Sequence, residues 1–223
     1  MKASDIVAVP LQWGSAIRRR RVFHPVGVMA NGSLERLAPP GEGLPMESSD
    51  VLGRVSKAVG LPGGLPDIIG LAVRIPPQPF AATPWDILMA SAGSGLVTRF
   101  ALRPVASWHA SLSSLMPLRY DGKYWWVRAK MTSELNAEGL ALDDIADQID
   151  RGGVEFELDQ AAGTEDFRPL ARVRFDEVVP AGPSNEVAFD PTLHTAPGVK
   201  LAPEWLTDIR QRAYERSRAG RPD

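Results

Sequence analysis

The sequence has no cysteine and only three histidines, and each shortage removes a class of chemistry. Without cysteine there can be no disulfides, thiolate zinc sites, iron–sulfur ligands or cysteine nucleophiles. The histidines are His24, His109 and His194. A metal site built from several histidines would therefore have to use nearly all of them.

Long apolar runs and a strong charge of either sign are also missing. The longest apolar runs, such as Ile68 to Val73, are far shorter than the roughly 20 residues that a membrane-spanning helix needs. The N-terminus lacks a basic region followed by an apolar run, so no signal segment is predicted and a cytoplasmic protein is expected. Lys and Arg number 25 against 27 Asp and Glu, a net charge of -2, which gives no overall basic field for nucleic acid or an anionic membrane.

Glycine and proline are abundant, at 20 residues each among 223. They separate short apolar segments, a pattern typical of many strands joined by irregular loops. This predicts a single α+β domain across residues 1–223, dominated by an antiparallel sheet that can close into a β-barrel. The predicted strands are Arg21–Met29, Leu34–Leu37, Ile68–Ile75, Trp85–Leu88, Leu96–Leu102, Lys123–Met131, Val154–Leu158 and Leu170–Val179.

Helices are predicted to be few. Ser48–Val59 is predicted as a short helix that Gly60 stops, and Leu142–Ile149 as a second helix. The clearest predicted helix is C-terminal, where Pro203 suits the first helical position and apolar residues recur every four positions.

Arg210 and Tyr214 share one face of this predicted C-terminal helix, because they are four residues apart. A guanidinium beside a phenol favours the phenolate, which is an anionic oxygen ligand suited to ferric iron. An exposed arginine–tyrosine stack at a basic helix end explains the same spacing. Spacing alone favours that simpler interpretation.

The tyrosine stands at the end of a series of motifs. They are Ala188-Phe189-Asp190-Pro191, then Pro197-Gly198-Val199, then Arg210-x-x-x-Tyr214-x6-Arg221. This series resembles the proximal haem segment of haem catalases. The resemblance implies that Tyr214 is the axial ligand of the haem iron, that Arg210 contacts its phenolate oxygen, and that Arg221 binds a haem propionate.

Three further motifs resemble the same family and occur in the same chain order. They are Arg21-Val22-Phe23-His24, Arg54-Val55-Ser56-Lys57-Ala58-Val59-Gly60, and Gly70-Leu71-Ala72-Val73-Arg74 followed by Trp85-Asp86-Ile87-Leu88. The resemblance implies that Arg21 and Arg54 contact haem propionates. It also implies that His24 is the distal catalytic base and that Ser56 orients it through its second ring nitrogen. The motifs together cover roughly residues 18 to 222.

Several parts of the catalase pattern are missing, among them an identifiable aromatic residue that would shield the distal face. Catalases carry an asparagine that positions peroxide, whereas the corresponding residues 89–92 offer only Ser91 as a hydrogen-bonding side chain. The chain also ends two residues after Arg221. The resemblance therefore implies a minimal catalase barrel with an open haem pocket, as a monomer or homodimer. His109 and His194 match no catalase ligand and are interpreted as structural or surface residues.

The sequence thus predicts an oxidoreductase that uses haem b (iron protoporphyrin IX), with a peroxide and a small-molecule reductant as its partners. His24 would take a proton from hydrogen peroxide or an organic hydroperoxide and return it to the leaving oxygen. The anionic Tyr214 would stabilise high-valent iron. Without the asparagine, peroxidase activity is expected to exceed catalase activity. Two alternatives stay open: an enzyme that rearranges hydroperoxides, and a non-catalytic haem carrier or sensor.

Overall fold

A computed structural model describes residues 26–62, 65–79, 81–92, 101–135, 139–182, 185 and 187–202. Within these ranges the chain forms one α-helix, α1 (Leu142–Gly152), and a series of antiparallel strands. The strands are β1 (Val26–Arg36), β2 (Ser49–Lys57), β3 (Ile69–Ile75), β4 (Trp85–Ser91), β5 (Leu112–Ser113), β6 (Leu118–Tyr120), β7 (Lys123–Met131), β8 (Val154–Ala162), β9 (Arg168–Val179) and β10 (Lys200–Leu201).

Eight of these strands close into a ring in the order β7, β5, β4, β3, β2, β1, β9, β8, and β8 then pairs back onto β7. The short strands β6 and β10 extend the sheet beside β7. Between β4 and β7 the ring closes through the two-residue strand β5 alone, which pairs with Ala90 and Ser91 at the end of β4. An antiparallel barrel with one helix in the described ranges confirms the predicted barrel with few helices.

Inward-facing side chains fill the barrel. Val73, Val127 and Phe175 are completely buried, and an eight-stranded barrel is just wide enough for such side chains to fill. Ile145 and Ile149 of α1 are buried as well, and the helix packs mainly against β9. Each fully buried side chain of this size contributes about 1.5–3 kcal/mol to the free energy of unfolding. No helix in the described part of the chain is long and apolar enough to cross a membrane.

The predicted helix Ser48–Val59 is wrong, because this segment is the strand β2. Val51, Gly53 and Val55 alternate toward the core and are buried, which is the period of a strand. Gly53 is required there, since a Cβ atom at this position would lie 2.1 Å from Cζ of Phe175. The serines and the glycine that suggest helix ends therefore stand at the ends of a strand.

Two other predictions need correction. Arg21–Met29 and Leu34–Leu37 are predicted as separate strands, but one strand runs from Val26 to Arg36, while residues 21–25 lie outside the described ranges. Gly32 lies inside that strand, at a register shift opposite β9. Most of the predicted strand Leu96–Leu102 and the whole predicted C-terminal helix lie outside the described residues.

A single arginine organises the Pro/Gly-rich loop after β1. The Arg36 guanidinium donates hydrogen bonds of 2.6–3.0 Å to the backbone carbonyls of residues 38, 39, 42, 44 and 46. Leu44 and Met46 are consequently held in the core with no exposed surface. The loop is irregular in outline, but its polar backbone groups are satisfied.

Candidate functional site

The outer faces of β1–β4 form one continuous wall, here called the site wall. Strand pairing places its outward residues in three rows that run across the four strands. The first row is Gly27, Ser56, Gly70 and Ala90; the second is Met29, Arg54, Ala72 and Leu88; the third is Asn31, Leu52, Arg74 and Asp86. The two motif residues Arg54 and Ser56 are therefore neighbours on the same face.

The first row consists of small side chains. Ser56, Gly70 and Ala90 are buried although they point away from the barrel core. A Cβ atom on Gly27 would lie 2.7 Å from Arg54 Nε and 2.8 Å from Ser56 Cβ. Glycine at position 27 thus allows Arg54 and Ser56 to approach the backbone of β1 closely. The result is a row of small side chains across four strands.

The Ser56 hydroxyl is oriented so that its oxygen can accept a hydrogen bond. It donates its proton to the Gly70 carbonyl over 3.4 Å. A hydroxyl retains two acceptor lone pairs after such a donation. A ring N–H of a neutral histidine is a suitable donor for this oxygen. This orientation is compatible with the role that the catalase resemblance implies for Ser56.

Most of the predicted site residues lie outside the described ranges. These are Arg21, His24, Arg210, Tyr214 and Arg221. Their predicted roles remain untested by the geometry. Among the described residues, the structure brings the two remaining ones, Arg54 and Ser56, together on the site wall. His24 precedes Gly27, which pairs directly with Ser56, by three residues.

Ser91 does not replace the missing asparagine on this wall. It is fully buried on the inner side of β4, where its hydroxyl donates to the Arg103 carbonyl over 2.6 Å and accepts from the Ile69 amide over 3.2 Å. The outward residue beside it is Ala90, which has no hydrogen-bonding side chain. Strand β4 therefore contributes no polar group to the first row.

The third row contains a charged cluster that the sequence analysis missed. Arg74 donates to both carboxylate oxygens of Asp86 over 2.7 Å, from Nε and from Nη2. His194 Nδ1 lies 2.7 Å from Asp86 Oδ2. We call Arg74, Asp86 and His194 the clamp. His194 is thus a structural residue, as predicted, but its partners come from strands more than 100 residues earlier in the sequence.

The clamp holds a second part of the chain against the barrel. The Asp190 amide donates to Asp86 Oδ2 over 2.7 Å, and Arg74 Nη2 donates to the Ala188 carbonyl over 2.9 Å. The Arg74 guanidinium also stacks on the Phe189 ring at 5.3 Å. We call residues 187–202 the clamped segment. The Phe-Asp-Pro motif that suggests a catalase is therefore packed directly on the site wall.

The described residues include no group of three or more His, Asp or Glu side chains that could hold a metal ion. His109 is exposed, as predicted, and its Nε2 lies 3.0 Å from the Ser133 carbonyl oxygen. The sequence matches no known protein-family model, and no curated protein matches it. The physical arrangement of the site wall is therefore the basis for a functional proposal.

Proposed function

We propose that the protein is a haem-dependent peroxidase of the catalase fold. The observation that carries this proposal is the register of β2, which sets one guanidinium and one hydroxyl side by side on the outer wall of a closed barrel. These are Arg54 and Ser56, two of the residues that the catalase resemblance singles out. The order of the sequence motifs supports the same proposal.

The side chains of the site wall fit a haem group. Small side chains would let a macrocycle approach the sheet, and the first row has glycine or alanine at three of its four positions. The haem propionates are carboxylates, and an arginine binds carboxylates through paired hydrogen bonds. Arg54 lies next to this row and could hold one propionate. Tyr214, Arg210, Arg21 and Arg221 are proposed to complete the binding.

The chain's own residues would carry out the proton transfers. A bound haem iron would supply the redox chemistry of peroxide cleavage. Ser56 would accept the N–H of one ring nitrogen of His24, which would leave the other nitrogen as the free base. His24 can then take the proton of a bound peroxide and return it to the leaving oxygen. Because β4 contributes Ala90 and no amide, slow dismutation of hydrogen peroxide is expected.

The test begins with haem binding. Purified protein supplied with haem should develop a Soret absorption band, and Tyr214→Phe should shift or abolish this band. Loaded wild-type protein should oxidise a phenolic dye at the expense of peroxide. His24→Ala should lower this turnover about 10²–10⁴-fold, the usual contribution of a general base. His109→Ala is the matched control and should leave turnover unchanged.

Three experimental outcomes would contradict the proposal. Failure of the wild-type protein to take up haem would remove the basis of the function. Haem binding without any peroxide consumption would indicate a carrier or sensor. Rearrangement of a fatty-acid hydroperoxide without added reductant would indicate the second enzymatic alternative, because a peroxidase needs a reductant to complete its cycle.

A further inference from the structure

We propose that a groove on the outer face of the barrel binds a short zwitterionic peptide. The peptide carboxylate would accept a hydrogen bond from Arg74, and the peptide ammonium group would lie between Asp50 and Asp176. This inference goes beyond the proposed function, because it concerns a groove lined by described residues and a ligand that requires no haem.

The groove continues the site wall beyond its third row. It has a volume of about 970 Å³, and its lining includes Pro76, Pro77 and Pro84 from the loop between β3 and β4. Within this loop Gln78 Nε2 donates to the Pro45 carbonyl over 2.8 Å, which ties the loop to the one before β2. Ligand pockets in proteins commonly have volumes of about 300–1,000 Å³. The prolines therefore provide a rigid apolar wall for a small ligand.

Arg74 offers this groove a hydrogen-bond donor whose orientation is already fixed. Its Nε and Nη2 donate to the buried Asp86 carboxylate, and its guanidinium carbon lies 5.3 Å from the centre of the Phe189 ring. Nη1 donates to no described residue, while Arg74 lines the groove and its side chain is 21% exposed. Binding to a side chain that is already ordered costs little conformational entropy. Because Asp86 compensates the charge of Arg74, Nη1 acts as a directed donor to a carboxylate rather than as a strong attractor of anions.

Two carboxylates elsewhere in the groove form no ion pair with any described residue. Asp50 and Asp176 both line the groove, and both are exposed. Three other carboxylates on the outside of the barrel differ, since Glu35, Glu155 and Asp159 each lie within 3.5 Å of an arginine nitrogen. The two unpaired carboxylates give the groove an excess of negative charge, which attracts a cationic group.

The position of Asp176 depends on a bulge in β9. Asn31 pairs with residue 177 and Gly32 with residue 175, so Asp176 has no partner on β1. Gly32 makes this arrangement possible, because a Cβ atom there would overlap the Arg174 carbonyl group. Bulges re-aim side chains and are frequent next to functional sites. The bulge therefore sets an unpaired carboxylate beside β1, on the side opposite to Asp50.

The spacing of these groups favours a dipeptide. Asp50 on β2 and Asp176 on β9 flank β1, and Arg74 lies on β3. A cation held between the two carboxylates lies over β1, which is two strand separations, or about 10 Å, from β3. An extended dipeptide spans about 7 Å, and a hydrogen bond of about 3 Å from Nη1 to its carboxylate makes up the difference. A simple amine or a simple carboxylate would satisfy only one end of the groove.

The experiment titrates the haem-free, full-length protein with dialanine (L-alanyl-L-alanine) and follows binding by NMR. Saturable binding is expected with a Kd of about 1 mM or lower. N-acetyl-dialanine lacks the ammonium group and dialanine amide lacks the carboxylate, so each should bind at least about tenfold more weakly. Asp50→Asn and Asp176→Asn should each weaken dialanine binding about two- to fivefold. Asp121→Asn is the matched control and should leave binding unchanged, since it removes an exposed carboxylate in the turn between β6 and β7.

The comparison of the three ligands uses wild-type protein, so it stays valid if a variant does not fold. Absence of saturable dialanine binding overturns the inference. Equal affinity for dialanine and for either derivative contradicts recognition of both charged ends. Unchanged affinity in an Asp50→Asn/Asp176→Asn double variant shows that the peptide binds elsewhere. Failure of the wild-type protein to take up haem would defeat only the proposed function, whereas absence of dialanine binding would leave that function standing.

Discussion

The first row of the site wall and the outer face of β7–β9 use the same antiparallel pairing but differ in the charge of their side chains. On β7–β9 four pairs of directly opposed outward residues bring opposite charges together. These pairs are Arg128 with Asp159, Lys130 with Glu157, Glu157 with Arg172, and Glu155 with Arg174. The first row of the site wall has only small uncharged residues, and most of them are buried.

Under the proposed function, this difference favours the site wall over β7–β9 as the side that would hold a ligand. Cross-strand charge pairs each contribute about 0.2–1 kcal/mol and keep a sheet face in contact with water. A row of glycine, serine and alanine on an outer face has no such benefit and loses side-chain packing. Ser56, Gly70 and Ala90 are already buried by the chain itself. Under the proposed function, haem would lie beside this row, against the partly exposed Gly27 and Arg54.

The two Arg–Asp pairs give the sharpest test of this contrast, and Asp86→Ala should have the largest effect on stability. Removing the Asp86 carboxylate leaves the Arg74 guanidinium and two further donors without their acceptor in a buried site. Such a loss typically lowers the free energy of unfolding by about 3–5 kcal/mol. Asp159→Ala should cost about 1 kcal/mol, as expected for a pair that water can screen. Denaturant unfolding of both variants measures the difference. Equal losses would contradict the distinction between the two walls.

Gly27 tests how tightly the first row is packed. Gly27→Ala should lower the free energy of unfolding by about 1–3 kcal/mol, because the new methyl group overlaps Arg54 and Ser56. Gly182→Ala is the matched control, since a Cβ atom there meets no atom of the described residues within 4 Å. Thermal unfolding of the two variants provides the comparison. A stable Gly27→Ala protein with unaltered haem binding would mean that the row is not closely packed.

Ser91 tests whether a side chain on the inner face of β4 affects stability alone or turnover as well. Ser91→Ala should cost about 1–2 kcal/mol in unfolding free energy, because it leaves the buried Ile69 amide without its acceptor. Peroxidase turnover of the loaded protein should remain at the wild-type level, since the hydroxyl faces the barrel interior. Steady-state kinetics with a phenolic dye checks this point. A loss as large as that of His24→Ala would place Ser91 in the proton pathway after all.

The sequence predicts the barrel well where alternation is strong and local. The strand Lys123–Met131 has the predicted ends, and the outward arginines of β9 alternate with the buried Val173 and Phe175. The segment Ser48–Val59 carries helix-end signals at both ends and still forms a strand. The reason is non-local: Gly53 faces Phe175, which lies 122 residues later. Pairing with distant strands overrides local preference in such a segment.

The same error hides part of the candidate site. In a helix, residues two apart point about 200° from each other, so Arg54 and Ser56 would lie on different faces. In a strand they share a face. The clamp is even less accessible to prediction, because Asp86 and His194 are 108 residues apart and meet only in the folded barrel. The order of motifs is the basis of the proposed family, whereas these contacts can be found only from the topology.

Ser56 should show the smallest effect on stability and still affect the reaction. Ser56→Ala should change the free energy of unfolding by less than about 1 kcal/mol, because its hydrogen bond to the Gly70 carbonyl is long at 3.4 Å. It removes the acceptor that would fix the tautomer of His24, so turnover should fall about tenfold or more. Ser33→Ala, on the exposed part of β1, is the matched control. Turnover and unfolding midpoint measured on the same preparations separate the two effects. If Ser56→Ala and Ser33→Ala turn over equally fast, Ser56 does not orient the base, and the site wall would then serve haem binding alone.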